Sequence, residues 1–288
     1  MPESIDQYFA QSYQNTIRIL SQQKKSVLEE TTLPPINIQG ENLYFERLGA
    51  TYAIKLATRH ADTPNIEPDH SRRRVSAEAY VWSTLLDRYD DVRTLASPIN
   101  PYNQNAKMAM LRAKDEAIIA ALGGSAFSGK TGSTEVVFPA SQRIASGSVG
   151  LTIGKLLAAR RILKRQSVST DMEWYLAISE QQLQDMLNTT EATHADYNSV
   201  KALVRGELET FLGFKFLCTE LLVHDGTNRL CYAFAKGAIG LGVLEEITTR
   251  IDQRIDKNYA WQPYVSMDIG ATRVEDAAVV QILCAETL

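Results

Sequence analysis

The segments Glu41-Asn-Leu-Tyr-Phe-Glu-Arg-Leu-Gly49 and Thr51-Tyr-Ala-Ile-Lys-Leu-Ala-Thr58 decide how this chain is organised. In both of them bulky apolar residues alternate with polar or small ones, which is the pattern of a half-buried β-strand. They predict two antiparallel strands at the start of a strand-rich excursion from about Ile36 to Trp82. A two-stranded ribbon is barely stable alone in water, so a neighbouring subunit is expected to support it.

A basic run, His70-Ser-Arg-Arg-Arg-Val75, follows these segments, beyond Pro64 and Pro68. Prolines are excluded from central strands, so residues 62–74 are predicted to form an exposed, extended loop. His60 and His70 have aspartates nearby, but the neighbouring arginines would repel a metal cation. Carboxylates on another chain are the better partners for this loop.

The composition is that of a soluble globular protein of 288 residues, with 44% hydrophobic residues and a net charge of −4. That length can hold two modest domains or one large one. The acidic surplus argues against a protein whose main task is coating nucleic acid. No apolar run is long enough to cross a membrane, and the N-terminus lacks a secretion signal, so synthesis in the cytoplasm is expected.

No catalytic, cofactor or metal site is expected. The cysteines at 218, 231 and 284 are widely spaced, which predicts three buried reduced thiols rather than a zinc site or disulfides. The four histidines lie far apart, and HExxH, GxSxG and Cys–His signatures are absent. The pair Asp90-Asp91 is interpreted as a solvated turn or helix cap.

The clearest helix begins at Asn100-Pro101, with asparagine as the cap and proline at the first helical position. Apolar residues recur at helical spacing as far as Leu122, and Gly123-Gly124 ends the helix. About twenty residues give a rod of roughly 30 Å. The sequence therefore predicts a long central strut.

The segment Gly124-Ser-Ala-Phe-Ser-Gly-Lys-Thr131 matches the phosphate-binding pattern G-x-x-x-x-G-K-[ST] in full. A phosphate-binding loop, however, leaves a buried strand and enters a helix, whose N-terminus faces the phosphates. Here a helix precedes the pattern, and a glycine, β-branched residues and Pro139 follow it. A flexible surface loop is the preferred interpretation, and a nucleotide hydrolase using Lys130 and Thr131 is the alternative.

The rest of the chain predicts an α+β arrangement. An amphipathic helix over 151–165 precedes alternating strands and helices, among them a strand at Trp174–Ile178 and a helix over 197–204. The glycines at 237, 240 and 242 do not match a dinucleotide-binding fingerprint and indicate a bend or a close-packing site. At the other end, residues 5–30 predict a helical arm that lies across another surface.

Six blocks follow one another along the chain: Phe45-Glu-Arg-Leu-Gly-Ala-Thr51, Thr58-Arg-His-Ala-Asp-Thr-Pro64, His70-Ser-Arg-Arg-Arg-Val75, Ala195-Asp-Tyr-Asn-Ser-Val-Lys-Ala-Leu-Val204, Phe211-Leu-Gly-Phe-Lys-Phe216 and Gly270-Ala-Thr-Arg273. Across them the sequence resembles a family of tailed-bacteriophage major capsid proteins. The resemblance implies the α+β Hong Kong 97-like fold, divided into five regions. These are an N-terminal arm (1–35), an extended E-loop (36–82), a peripheral domain (83–164) with a spine helix (100–122), an axial domain (165–250) and returning strands of the peripheral domain (251–288).

The resemblance also implies a structural function without catalysis. Many copies would form the hexamers and pentamers of an icosahedral head around double-stranded DNA, with a separate scaffolding protein and a portal as partners. Contact with DNA would be weak and nonspecific, no membrane or cofactor is involved, and the protein would pass from the host cytoplasm into the virion. The E-loop would lie on the adjacent subunit and meet carboxylates there through seven basic residues, Arg47, Lys55, Arg59, His60, Arg72, Arg73 and Arg74. A nucleic-acid-binding module using residues 72–74 is a further interpretation, which the net acidity disfavours.

Overall fold

The computed structural model describes residues 21–38, 40–55, 58–59, 62–86, 99–166, 168, 171–188 and 210–286. Its helices are α1 (Ile99–Gly123), α2 (Ile153–Arg165) and α3 (Glu180–Asn188). The strands of these residues form three sheets, so the α+β class predicted from the sequence is confirmed.

The first sheet has six strands. In spatial order they are β7 (Arg143–Ile144), β14 (Val279–Ala285), β11 (Asn228–Ala235), β8 (Trp174–Ile178), β10 (Phe214–Cys218) and β9 (Thr210–Phe211). Strand β8 is buried along its whole length, as its uninterrupted apolar sequence requires. Helix α2 covers β14 and turns Leu156, Ala159 and Leu163 towards the core.

The second sheet, called the long sheet here, supports helix α1. Its order is β1 (Ile36–Asn37), β12 (Ile239–Arg254), β13 (Ala260–Arg273) and β4 (Glu78–Ser83). Helix α1 lies against β13 and β12 and buries Met110, Ile118 and Leu122. The predicted helix is confirmed, with one further residue at each end.

The third sheet, called the ribbon sheet, consists of β2 (Asn42–Leu48), β3 (His70–Ser76), β5 (Ala126–Ser128) and β6 (Thr134–Val136). The prediction that residues 51–58 pair with β2 was wrong, because β3 takes that position in antiparallel register from Asn42–Ser76 to Leu48–His70. The segment 51–55 is exposed and outside any strand. No part of the described chain covers its apolar face.

The prediction of an extended loop over residues 62–74 was therefore wrong for residues 70–74, which belong to β3. The prolines at 64 and 68 do lie in an exposed extended segment, but the arginine run after them forms β3. The strand is possible because its residues alternate between the interior and the solvent. Only Arg73 and Val75 of β3 are buried, and Arg73 has an acidic partner.

Glycines let the ribbon sheet approach the long sheet. A Cβ added to Gly240 would lie 2.6 Å from the Phe45 ring of β2, and one added to Gly242 would lie 3.3 Å from Val75 of β3 and 2.9 Å from Ile38 beside β1. The close-packing interpretation of these glycines is confirmed, although no sequence pattern indicated that Gly240 and Gly242 belong to the long strand β12. Phe45, Ile38 and Val75 form a small apolar cluster at this junction.

The helix predicted for residues 5–30 does not extend through the described part of that range. Residues 21–28 are not helical, and one turn of 3-10 helix covers Glu29–Thr31. Polar side chains of this segment hydrogen-bond to α1 rather than lying along a helix of their own. Residues 1–20, the pair Asp90-Asp91 and the helix predicted near 197–204 lie outside the described residues.

One expected domain boundary and the strands expected after it can be compared with the sheets. The boundary between residues 250 and 251 falls inside β12, which continues to Arg254. Of the final strands, β13 joins the long sheet beside β4, whereas β14 joins the six-stranded sheet beside β11. The residue ranges of the sheets therefore differ from the regions expected from the sequence.

Candidate subunit-contact surface

The outer face of the ribbon sheet carries two of the seven predicted contact residues. Arg72 is half-exposed, lies 5.5 Å from the Tyr44 ring centroid and contacts Glu46 at 3.4 Å. Arg74 lies over the Phe127 ring at 5.0 Å. These aromatic contacts hold the guanidinium groups near the surface of the sheet, where a second molecule can reach them.

The exposed segment beyond this sheet carries two more of the predicted residues. Lys55 and Arg59 are both exposed, and Tyr52 and Ile54 beside them are 85% and 59% exposed. Large apolar side chains with this exposure, next to cations, are typical of a surface that another molecule covers. His60 lies outside the described residues.

The remaining two residues, Arg47 and Arg73, are engaged inside the subunit. Arg47 donates from Nη1 to the Val274 carbonyl oxygen at 2.6 Å and from Nε to Ser71 Oγ at 3.1 Å. Arg73 is 3% exposed and donates from Nη2 to the Asp276 carboxylate. Burial lowers the pKa of the Arg73 guanidinium, and the negative charge of Asp276 opposes that effect.

Asp276 joins the ribbon sheet to the turn between β13 and β14. Its other oxygen, Oδ1, accepts a hydrogen bond from Arg273 Nε at 2.6 Å. Arg273 is 1% exposed and also donates to the Gly124 carbonyl oxygen at 2.6 Å, just past the end of α1. Sequence reasoning missed this pairing. The only signal was that Arg273 belongs to the block Gly270-Ala-Thr-Arg273.

The segment Gly124–Thr131 does not have the geometry of a phosphate-binding loop. It leaves helix α1, forms β5 and enters the turn that leads to the antiparallel strand β6. Gly129 and Gly132 have φ of +95° and +64°, so the turn itself requires these glycines. Lys130 is exposed at this turn rather than facing a helix N-terminus, and the nucleotide-hydrolase alternative finds no support.

A second polar centre attaches the N-terminal segment to α1. Asp115 is fully buried and accepts hydrogen bonds from four donors, namely the Gln23 side chain, Ser26 Oγ at 2.5 Å and the backbone N–H groups of Val27 and Leu28 at 3.0 and 3.2 Å. Lys114 adds an ion pair with Glu29 at 2.8 Å. The Asp115 carboxylate is therefore the main polar anchor of this segment on α1.

Strand β12 leaves part of one edge open. Strand β1 pairs with it only at Gly242 and Val243, and the residues from 244 to 254 are mostly exposed. Leu244 and Ile251 are 45% and 39% exposed there. Open strand edges with apolar side chains favour association with another chain.

Two of the three cysteines are buried, as predicted, and the third is exposed. Cys231 and Cys284 are buried, as expected, but Cys218 is exposed because it ends β10 on the outer side. Among the described residues no group of His, Cys, Asp and Glu side chains is arranged to hold a metal ion. No helix within the same residues combines the length and apolar character needed to cross a membrane.

Known capsid structures have the same fold. The capsid protein of cyanophage P-SCSP1u superposes with a TM-score of 0.74 at 15% identity, covering 98% of this chain and 95% of that chain. The capsid of Ralstonia phage GP4 gives 0.75 at 11% identity, with 98% and 96% covered. The capsid of Helicobacter pylori bacteriophage KHP30 gives 0.75 at 9% identity, with 98% and 97% covered.

The sequence itself matches a family model over residues 5–286, and that model describes phage capsid proteins. No curated protein matches the chain. The three superpositions show a shared fold at sequence identities of 9–15%. The family match spans nearly the whole sequence. The chain therefore belongs to the phage capsid protein family and is a major capsid protein with the Hong Kong 97-like fold, the subunit of an icosahedral phage head.

Proposed function

We propose that many copies of this chain form the hexamers and pentamers of a head that encloses double-stranded DNA, without catalysing a reaction. The observation that carries the proposal is the exposed segment between Gly49 and Asp69. Its described residues are almost all exposed, and it projects from the ribbon sheet with both apolar and cationic side chains. Such a segment acquires a stable environment when it lies on a neighbouring copy.

The regions of the subunit follow from the sheets. The six-stranded sheet with α2 and α3 is proposed as the axial domain, and α1 with the long sheet as the peripheral domain. The ribbon sheet with its projecting segment is the E-loop, and residues 1–35 form the arm. The continuity of each sheet supports this division, under which β12 would belong wholly to the peripheral domain and β14 to the axial domain.

The E-loop contact is proposed to use the exposed members of the basic set. Lys55, Arg59, Arg72 and Arg74 are available for carboxylates of an adjacent copy, and His60 belongs to the same segment. Arg47 and Arg73 act from within the subunit by fixing the ribbon sheet on the β13–β14 turn. Each exposed ion pair contributes about 0–1 kcal/mol, so repetition and apolar burial supply most of the cohesion.

Other partners are proposed from the same function. A separate scaffolding protein would direct shell closure, a portal would occupy one vertex, and packaged DNA would make weak, nonspecific contacts. The protein would be made in the cytoplasm of the bacterial host and end in the virion. The net charge of −4 supports weak rather than tight contact with DNA.

Negative-stain electron microscopy tests assembly most directly. The concentrated protein is imaged alone and together with its candidate scaffolding partner. Closed shells, tubes or six-fold rings are expected in at least one preparation. Dispersed subunits in both would contradict the proposed assembly.

The E-loop contact is tested with Lys55→Glu/Arg59→Glu. Both side chains are exposed, so the subunit is expected to stay folded while shells fail to form, because like charges oppose association. The matched control is Arg161→Glu/Lys164→Glu on the exposed face of α2, which makes the same change in net charge. Normal shells from the first variant would remove the basis for the proposed contact.

A further inference from the structure

A cationic cavity of about 650 Å³ lies at the base of the E-loop. Its lining includes Glu46, Arg47, His70, Arg72, Gly129 and Lys130. It is formed where β3 continues past the end of β5, since β5 pairs only with Arg73 and Arg74. The edge of β3 at residues 70–72 is therefore open on the side of the cavity.

The lining carries more positive than negative charge. Arg47, Arg72 and Lys130 face a single lining carboxylate, that of Glu46. Glu46 is 78% exposed, and its contact with Arg72 is long at 3.4 Å, so it neutralises the arginine weakly. Lys130 has neither a hydrogen bond nor an ion pair with any described residue. This local excess of cations occurs in a chain whose net charge is −4.

The buried layer behind the cavity adds to the excess. Arg73 is the next residue of β3 after the open stretch 70–72. It pairs with Ser128 of β5, which also lines the cavity. Arg73 shares Asp276 with Arg273, so two buried guanidinium groups have one carboxylate between them. Within the described residues, Nε and Nη1 of Arg73 are buried without a hydrogen-bond partner. The positive charge behind the cavity is therefore only partly neutralised.

The position of Lys130 is fixed by its turn. Gly132 packs so closely on Arg74 that an added Cβ would lie 2.5 Å from the arginine Cδ. The turn from Gly129 to Gly132 is closed by a backbone hydrogen bond of 3.1 Å. Lys130 is thus held at the cavity rather than on a freely moving loop.

We propose that this cavity receives an aspartate or glutamate on an extended segment of a second copy of the chain, with Lys130 and Arg72 as its direct partners. The inference rests on the proposed shell and adds Lys130 to the contact residues. An extended segment fits because the open edge of β3 can form backbone hydrogen bonds with it, and a carboxylate fits because the cations of the lining outnumber its one carboxylate, Glu46. The glycine-rich turn then has a function in assembly.

Zero-length cross-linking of wild-type shells tests the proposal. Shells are assembled from an equal mixture of ¹⁵N-labelled and unlabelled protein and treated with a water-soluble carbodiimide, which joins an amine to a carboxylate in contact with it. Mass spectrometry is expected to find Lys130 joined to an Asp or Glu peptide in pairs that combine the two isotopes. Shells that form but give no mixed-isotope product at Lys130 would overturn the inference and leave the proposed shell intact.

Three variants give an independent measurement. Lys130→Glu places like charge against the incoming carboxylate and is expected to lower shell yield about tenfold or more. Lys130→Arg keeps the charge and should assemble normally, and Lys164→Glu on α2 is the control for the change in net charge. Equal shell yields for Lys130→Glu and the control would contradict the proposal. Failure of the wild-type protein to form any shell would instead contradict the proposed function.

Discussion

Two buried acidic residues, Asp115 and Glu286, act as structural anchors. Each accepts hydrogen bonds from a part of the chain distant in sequence, and neither belongs to the predicted contact set. A carboxylate has several acceptor positions, so one side chain can satisfy several buried donors at once. Their effects can be separated by substitution.

Replacing Asp115 by alanine is expected to release the N-terminal segment from α1. The backbone N–H of Leu28 and that of Val27 would lose their acceptor, and the cost is about 3 kcal/mol. Urea denaturation measures this loss, with the exposed neighbour Glu116→Ala as the control. Equal stability of the two variants would show that the segment is held by other contacts.

Glu286 predicts a pH dependence of stability. Arg229 donates to it at 2.7 and 3.0 Å, and these hydrogen bonds hold the pKa of the Glu286 carboxyl below its usual range. Its stabilisation is therefore complete above the ordinary glutamate pKa and is lost as pH falls through the lowered folded-state value. The variant Glu286→Gln is expected to be less stable by about 3 kcal/mol at pH 7 and to show a flatter decline into acid.

The measurement is the melting temperature of wild type and Glu286→Gln at a series of pH values from 7 to 3. Glu275→Gln is the control, because Glu275 is an exposed glutamate in the turn that precedes β14. If the curves of wild type and Glu286→Gln remain parallel as the pH falls, the carboxylate does not carry the acid dependence.

At the scale of elements, glycines in the long sheet let the ribbon sheet pack closely on it. Gly240 and Gly242 of β12 face Phe45 and Ile38, and Gly270 of β13 lies against Ser76. A strand without side chains at these points lets the base of the E-loop pack directly on the long sheet. The orientation of the E-loop therefore depends on three glycines in other strands.

The substitution Gly240→Val is expected to displace Phe45 and to destabilise the subunit by about 1–3 kcal/mol through overpacking. Gly154→Ala is the control, because an added Cβ there meets only Thr152 Oγ1 at 3.8 Å. Chemical denaturation of both variants makes the comparison. A Gly240→Val protein as stable as the control would mean that the ribbon sheet moves aside without cost.

At the scale of the whole molecule, folding and assembly use different residues. The Gly49 backbone N–H donates to the Asp69 carbonyl oxygen at 2.7 Å, so the two strands are already joined where the projecting segment begins. Between these residues every described position except Pro68 is exposed. The subunit core does not depend on this segment.

Replacing residues 50–68 by a two-residue Asn-Gly turn is therefore expected to leave the melting temperature nearly unchanged and to abolish shells. Circular dichroism reports the fold, and electron microscopy reports assembly. The matched control inserts the same dipeptide into the exposed turn at Gly226. A folded deletion variant that still forms shells would assign assembly to other surfaces, such as the open edge of β12.

The sequence by itself determined the elements whose signals are local. The proline at 101 and the glycines at 123 and 124 bounded α1 to within a few residues, although Asn100 lies inside the helix rather than capping it. The helical spacing of apolar residues indicated α2, and an unbroken apolar run indicated β8. These signals depend on neighbours a few residues away, so no knowledge of the fold is needed to interpret them.

Only the tertiary structure decided which basic residues of the E-loop face the solvent. Arg73 is buried because its acceptor, Asp276, comes from 203 residues further along the chain, and strand alternation alone does not reveal that partner. In the ribbon sheet β2 pairs with β3 rather than with residues 51–58, and the glycines of β12 and β13 leave room for that sheet. Burial of a charge and the choice of a strand partner are fixed by long-range contacts, which a local sequence pattern does not contain.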